Sequence, residues 1–135
     1  MTAAPIHLAG ERLMLDPAGA LFWPARRLLA VADSGSGDAA QRAVALQMAQ
    51  RHRQRPVDLV LLAGDNIYND GDIALVGSHF GRPYRELLQA GVPFKAVLGN
   101  HDVRRDGGAG QLAYRPLGME GRSEEHTSEL QSPYV

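Results

Sequence analysis

Cysteine is absent from the 135 residues. That excludes disulfides and thiolate metal sites, and it suits a cytoplasmic protein. Long apolar runs are also missing, and none approaches the roughly 20 residues that a bilayer span needs. Met1–Asp16 shows no basic stretch followed by an apolar one, so no signal peptide is visible and no membrane partner is expected. Neither sign of charge is in excess: the formal net charge of −1 gives no pull toward nucleic acid. No Gly-Lys-Ser/Thr follows a glycine loop, which excludes a P-loop. No internal repeat is visible, and nothing sets an oligomeric state. What is present is ordinary globular material: 44% hydrophobic and 21% charged residues are too apolar a mixture for disorder throughout. The length suits one domain or part of a larger one.

Taken in order, Leu13–Leu15 and Ala20–Trp23 flank the turn signal Asp16-Pro17-Ala18-Gly19, which predicts a β-hairpin within an N-terminal leader of residues 1–26. Leu28–Ala32 reads as a buried strand ending at Asp33. A helix is expected over Ala39–Gln54. Asp38 and Gln41 stand at capping-box spacing, Ala40, Val44, Ala45 and Met48 form an apolar stripe, and Pro56 follows the end. Arg51, Arg53 and Arg55 load its last turn and read as a solvated basic end. Leu59–Ala63 is a second buried strand, closed by Gly64-Asp65. Ile73–Gly81 has no clear period. A short helix is expected between Pro83 and Gly91, and Phe94–Leu98 is a third strand running into Gly99-Asn100-His101-Asp102.

Three apolar strands thus end in polar residues of ligand type, and the aspartates and Asn100 are separated by 32 and 35 residues. Each interval accommodates a crossover and a strand, so parallel pairing puts all three ends at one edge of the sheet, where open α/β sheets bind ligands. A carboxylate is costly to bury without a cation or donors beside it. Hard cations take carboxylate, carbonyl and imidazole ligands.

In these motifs the chain resembles the calcineurin-like metallophosphoesterases, which carry an aspartate after one strand, Gly-Asp after the next, and Gly-Asn-His-Asp/Glu after a third. Most of that family has histidine two residues after the first aspartate, where this chain has Gly35. The purple acid phosphatase-like branch has glycine there and a tyrosine three residues after the second aspartate, where Tyr68 stands. Gln111-Leu112-Ala113-Tyr114 also resembles that branch. The resemblance implies an α/β fold, the N-terminal half of a four-layer α/β/β/α sandwich with parallel central strands. It implies two divalent or trivalent ions (Fe, Mn or Zn) and a small phosphate-ester substrate. Carried over, Asp33 and Tyr68 would bind the first ion, Asp65 would bridge, and Asn100 would bind the second. His101 would contact the phosphate or assist the leaving group. Paired cations neutralise phosphate oxygens and bring a bound water's pKa toward ~7, which provides hydroxide for ester hydrolysis.

An alternative reading takes Gly35-Ser36-Gly37-Asp38-Ala39-Ala40 as G-x-G-x-x-A between strand and helix, the fingerprint of a nucleotide-binding module. The acid ending the second strand lies 30 residues beyond Gly35, longer than the usual ~20, and Gly-Asn-His-Asp stays unexplained.

The family's pattern also needs a lone histidine and a Gly-His-x-His pair downstream. Only His126 follows His101, and it fits neither. Arg122–Ser132 resembles an in-frame translation of a common sequencing adapter. The expected organisation is therefore a leader over 1–26, a truncated metallophosphoesterase domain over 27–121, and an artefactual tail over 122–135. Ala20–Asp33 resembles the opening of DNA-ligase-associated metallophosphoesterases. A truncated domain should leave apolar residues exposed on one sheet face, and the polypeptide is expected to be nearly inactive.

Overall fold

The three apolar runs become the parallel half of one six-stranded sheet. In the computed structural model, which describes residues 3–32 and 35–119, β4 (Leu28–Val31), β5 (Leu59–Leu62) and β6 (Phe94–Ala96) pair in parallel. The predicted hairpin is present as β2 (Glu11–Leu15) and β3 (Leu21–Trp23), with a further strand β1 (Ala4–Leu8) outside it. All three are antiparallel, and β3 bonds directly to β4, so the order β1-β2-β3-β4-β5-β6 follows the chain. The leader thus extends the central sheet. Strand β1 gave no sequence signal because all five of its residues are exposed at an edge, and nothing there alternates toward a core. The reading of residues 122–135 as a tail lies outside the described residues.

One face of the sheet is dry. Leu29, Val31, Val60, Leu62, Phe94 and Ala96 alternate toward the same side and form one core with Val44, Ala45 and Met48 of α1 (Ala39–Gln54). Helix α1 starts where expected, since the Asp38 carboxylate accepts the Gln41 N–H at 3.1 Å. Gln41 does not close the box onto Asp38. Its side chain accepts from Gly37 N and donates to the His79 carbonyl, tying the β4–α1 loop to the segment after β5. The basic end of α1 is not merely solvated. Arg51 pairs with the buried Asp16 and lies over the Phe22 ring at 4.5 Å, and Arg53 binds Glu86. The hairpin turn holds the acid that Arg51 needs, a long-range pairing that no local pattern reveals.

On the other face, Leu21, Trp23, Leu28, Ala30, Leu59 and Leu61 are half-buried, and no helix of the described residues covers them. None of the six is among the exposed large hydrophobics, so this face is partly open and not the exposed apolar face expected above. Antiparallel and mixed sheets tolerate one wetter face, but polar residues usually line it.

Ile73–Gly81, unreadable by period, contains a 3₁₀ turn at Ile73–Leu75 and a π-helical turn at Gly77–Gly81. The wider turn delivers Phe80 into the core, 1% exposed. Its ring meets Tyr84, Phe94 and Tyr114 edge-on at centroid distances of 5.7, 5.3 and 6.3 Å. Helix α2 (Arg85–Gln89) follows, and α3 (Ala109–Ala113) lies beyond β6.

Two outcomes follow. Phe80→Ala should cost about 3–5 kcal/mol, read as a lower denaturation midpoint, with Phe80→Leu recovering much of the loss. The Asp38 carboxyl is held below the usual carboxylate range, first by the Ser36 hydroxyl and then by the Gln41 amide. Its capping contribution is therefore present above the unfolded-state value and lost as pH falls through the lower folded value. Asp38→Asn, which keeps an acceptor without titrating, should flatten that acid limb of the melting-temperature profile.

Candidate metal centre

Strand β5 delivers Asp65 to the carboxyl edge of the sheet. Its backbone is left-handed, with φ of 53°, a conformation that asparagine and aspartate tolerate better than most residues. Such a position costs on the order of 1–3 kcal/mol and persists where the surroundings fix it. Asp65 is 8% exposed. One carboxylate oxygen accepts the His101 N–H at 2.9 Å and the other accepts the Tyr68 hydroxyl at 3.2 Å. The amide end of Asn100 lies 3.3 Å from both oxygens. With nitrogen toward Asp65 the amide donates to the carboxylate. With oxygen toward Asp65, its oxygen joins the carboxylate pair and the Tyr68 phenol in a cluster that needs a cation at its centre. That all-oxygen set suits hard ions, so the residues fit the ions implied by the resemblance.

Three of the five predicted site residues, Tyr68, Asn100 and His101, therefore gather on a fourth, Asp65. The fifth, Asp33, lies outside the described residues. Among the described residues, no group of three histidine, aspartate or glutamate side chains converges as a metal site. The cluster at Asp65 draws instead on a phenol and an amide.

His101 leans on Tyr68, with ring centroids 4.5 Å apart, and its Nδ1 lies 2.8 Å from the Asn69 carbonyl. A carbonyl only accepts, so Nδ1 carries the proton and Nε2 is left as the nitrogen able to accept one.

What fixes these loops is a residue to which the sequence assigned no role. Asp102 is fully buried, at 0% exposure. Its carboxylate accepts from the backbone N–H of Asn66 at 3.0 Å, of Ile67 at 3.1 Å and of Gly99 at 2.8 Å, and from Gln111 Nε2 at 2.9 Å. It thus joins the loop after β5 to the loop after β6. Gln111, also 0% exposed, accepts from Asn66 Nδ2 at 3.2 Å, and Asn66 Nδ2 donates to the Val97 carbonyl as well. The sequence placed Asp102 at the end of the Gly-Asn-His-Asp motif and Gln111 in a matching segment, but it gave neither a role.

Two glycines set the spacing. A methyl group on Gly99 would sit 2.3 Å from Asp65 Oδ1. One on Gly35 would sit 1.9 Å from the Asn66 carbonyl oxygen, so this loop conformation leaves no room for a side chain at 35. The Gly35 carbonyl instead accepts the Tyr68 N–H at 2.8 Å. The position where a histidine is missing therefore holds the tyrosine in place. The glycine loop is also a poor phosphate cradle, because the Gly37 N–H is already donated to Gln41.

Asp102→Ala would strand three buried donors and the part-buried Gly99 N–H, the buried ones at about 1–3 kcal/mol each, so it should destabilise the chain by several kcal/mol in chemical denaturation. Gly99→Ala should leave far-ultraviolet circular dichroism intact while weakening any Mn²⁺ binding that depends on Asp65. Native-like Mn²⁺ affinity in Gly99→Ala would contradict the close packing described.

Comparison with known proteins agrees with this geometry. The calcineurin-like phosphoesterase family model matches residues 26–131. Purple acid phosphatase 3 of Arabidopsis thaliana is 35% identical over 82 residues, which are 58% of this chain and 22% of that protein. A second Arabidopsis thaliana protein, named "Probable inactive purple acid phosphatase 14", is 33% identical over 49 residues, 36% of this chain and 12% of its own length. Among solved structures, the nuclease MPE of Pseudomonas putida superposes with a TM-score of 0.56 at 26% identity, covering 79% of this chain and 53% of the nuclease. The chain thus spans about a fifth or less of the two matched phosphatases and about half of the nuclease. With a family match over most of its length and the strand-end motifs gathered at one sheet edge, the chain belongs to the calcineurin-like phosphoesterase family.

Proposed function

We propose that the chain carries part of a two-metal centre for phosphate-ester hydrolysis, with Asp33, Asp65, Tyr68 and Asn100 as metal ligands. The observation that carries this reading is the gathering of Tyr68, Asn100 and His101 on the buried Asp65 carboxylate. When bound, the ions (Fe, Mn or Zn) supply charge neutralisation at phosphate oxygens and an activated water. The protein's own part is positional. Asp102 clamps the two ligand loops, the His101 N–H aligns Asp65, and Gly35 holds the Tyr68 backbone. His101, its Nδ1 proton held on Asn69, presents Nε2 toward substrate as a hydrogen-bonding or proton-exchanging group. The names of the matched proteins, phosphatases and a nuclease, support a phosphate ester as substrate.

Among the described residues, carboxylate, phenol and amide groups gather at Asp65 with no cluster of further imidazoles, so turnover by this polypeptide is expected to be slight. Misplacement of ~1 Å costs on the order of a hundredfold in rate. The test has two readouts. Electron paramagnetic resonance should show Mn²⁺ bound by the chain and released in Asp65→Ala. The p-nitrophenyl phosphate mono- and bis-esters should be hydrolysed only near background with Mn²⁺, Zn²⁺ or Fe. Failure of Mn²⁺ to bind would remove the ligand assignment. Robust turnover that Asp65→Ala abolishes would instead show that these ligands suffice.

A further inference from the structure

Away from the strand ends, a groove of about 480 Å³ runs between α1 and α2 on the helical face of the sheet. Ala45 and Ala49 form its buried floor, and Leu46, 55% exposed, stands at its edge. Three guanidinium groups line it: Arg42 from α1, Arg82 before α2, and Arg85 from α2. Among the described residues, Arg27, Arg51, Arg53 and Arg105 each meet a carboxylate, whereas Arg42, Arg82 and Arg85 form no ion pair. The single acid in the lining is Glu86, and both of its oxygens are held by Arg53, which reaches in from outside the lining. The groove therefore presents three uncompensated positive charges around an apolar strip.

We propose that this groove docks an acidic peptide segment of a partner protein, its Glu or Asp side chains on Arg42, Arg82 and Arg85 and an apolar side chain against Leu46 and the alanine floor. Guanidinium groups pair with carboxylates through parallel hydrogen bonds, and opposite charge across an interface sets both partner choice and association rate. The lining favours a peptide over a nucleic-acid strand. No aromatic side chain lines the groove to stack a base, and its floor matches an aliphatic side chain.

The test uses the full chain in metal-free buffer, so that carboxylates gain nothing at the strand-end site. Three fluorescein-labelled probes are compared by anisotropy: a Glu- and Leu-rich peptide, its Lys-for-Glu counterpart, and a single-stranded oligonucleotide. The acidic peptide should bind saturably and lose affinity as salt rises. Arg82→Glu and Arg85→Glu should each weaken it about tenfold or more, since like charges brought together repel strongly. Leu46→Asp should weaken it similarly, and Arg115→Glu should leave it unchanged. All four substitutions are at exposed or groove-edge positions, and unchanged circular dichroism confirms that each variant folds. No saturable binding, equal binding of the Lys peptide, or tighter Arg82-dependent binding of the oligonucleotide would each overturn the proposal.

Discussion

The candidate site depends on one buried carboxylate. Asp102 has no water to solvate it, so the donors around it are obligatory: three backbone N–H groups from two loops and one glutamine amide. Because those donors come from the loop after β5 and the loop after β6, satisfying Asp102 fixes the loops relative to one another. Asp65 and Asn100 sit on these two loops. A rigid buried residue thereby sets the geometry of the more accessible ones around it.

The same constraint explains the glycines. Once Asp102 pulls the loops together, Asp65 lies against Gly99 with no space for a β-carbon, and Asn66 lies against Gly35 in the same way. The left-handed backbone of Asp65 is held within this packing. Loss of a side chain at 35 and gain of Tyr68 are two sides of one arrangement, since the Gly35 carbonyl receives the Tyr68 amide. Under the proposed ligand assignment, the carboxylate, phenol and amide oxygens would suit a hard cation.

Much of this was legible in the sequence. Strands β4, β5 and β6 were visible as short apolar runs, and α1 as a capped periodic segment, because their burial is set by local pattern. The clustering of Asp65, Tyr68, Asn100 and His101 followed from placing strand ends together. The rest depended on contacts distant in sequence. Asp102 closes the Gly-Asn-His-Asp motif but shows no role until its donors from residues 66, 67 and 111 are seen, and Arg51 reads as a solvated helix end until Asp16 is folded beside it. The π-helical turn at Gly77–Gly81 has no sequence period of its own, and it exists where Phe80 can reach the core. An exposed edge strand such as β1 carries no burial pattern to read.

Under the proposed function, Asp102 holds the two loops so that Asp65 and the Asn100 amide oxygen can face one cation. Diffraction from crystals of the chain grown with Mn²⁺, recorded at the manganese edge, tests it most directly. An anomalous peak is expected in contact with Asp65, with the Asn100 amide oxygen turned toward the ion and the hydrogen bonds of Asp102 intact. A peak remote from Asp65, or an Asn100 amide nitrogen still donating to an ion-free carboxylate at saturating Mn²⁺, would contradict it.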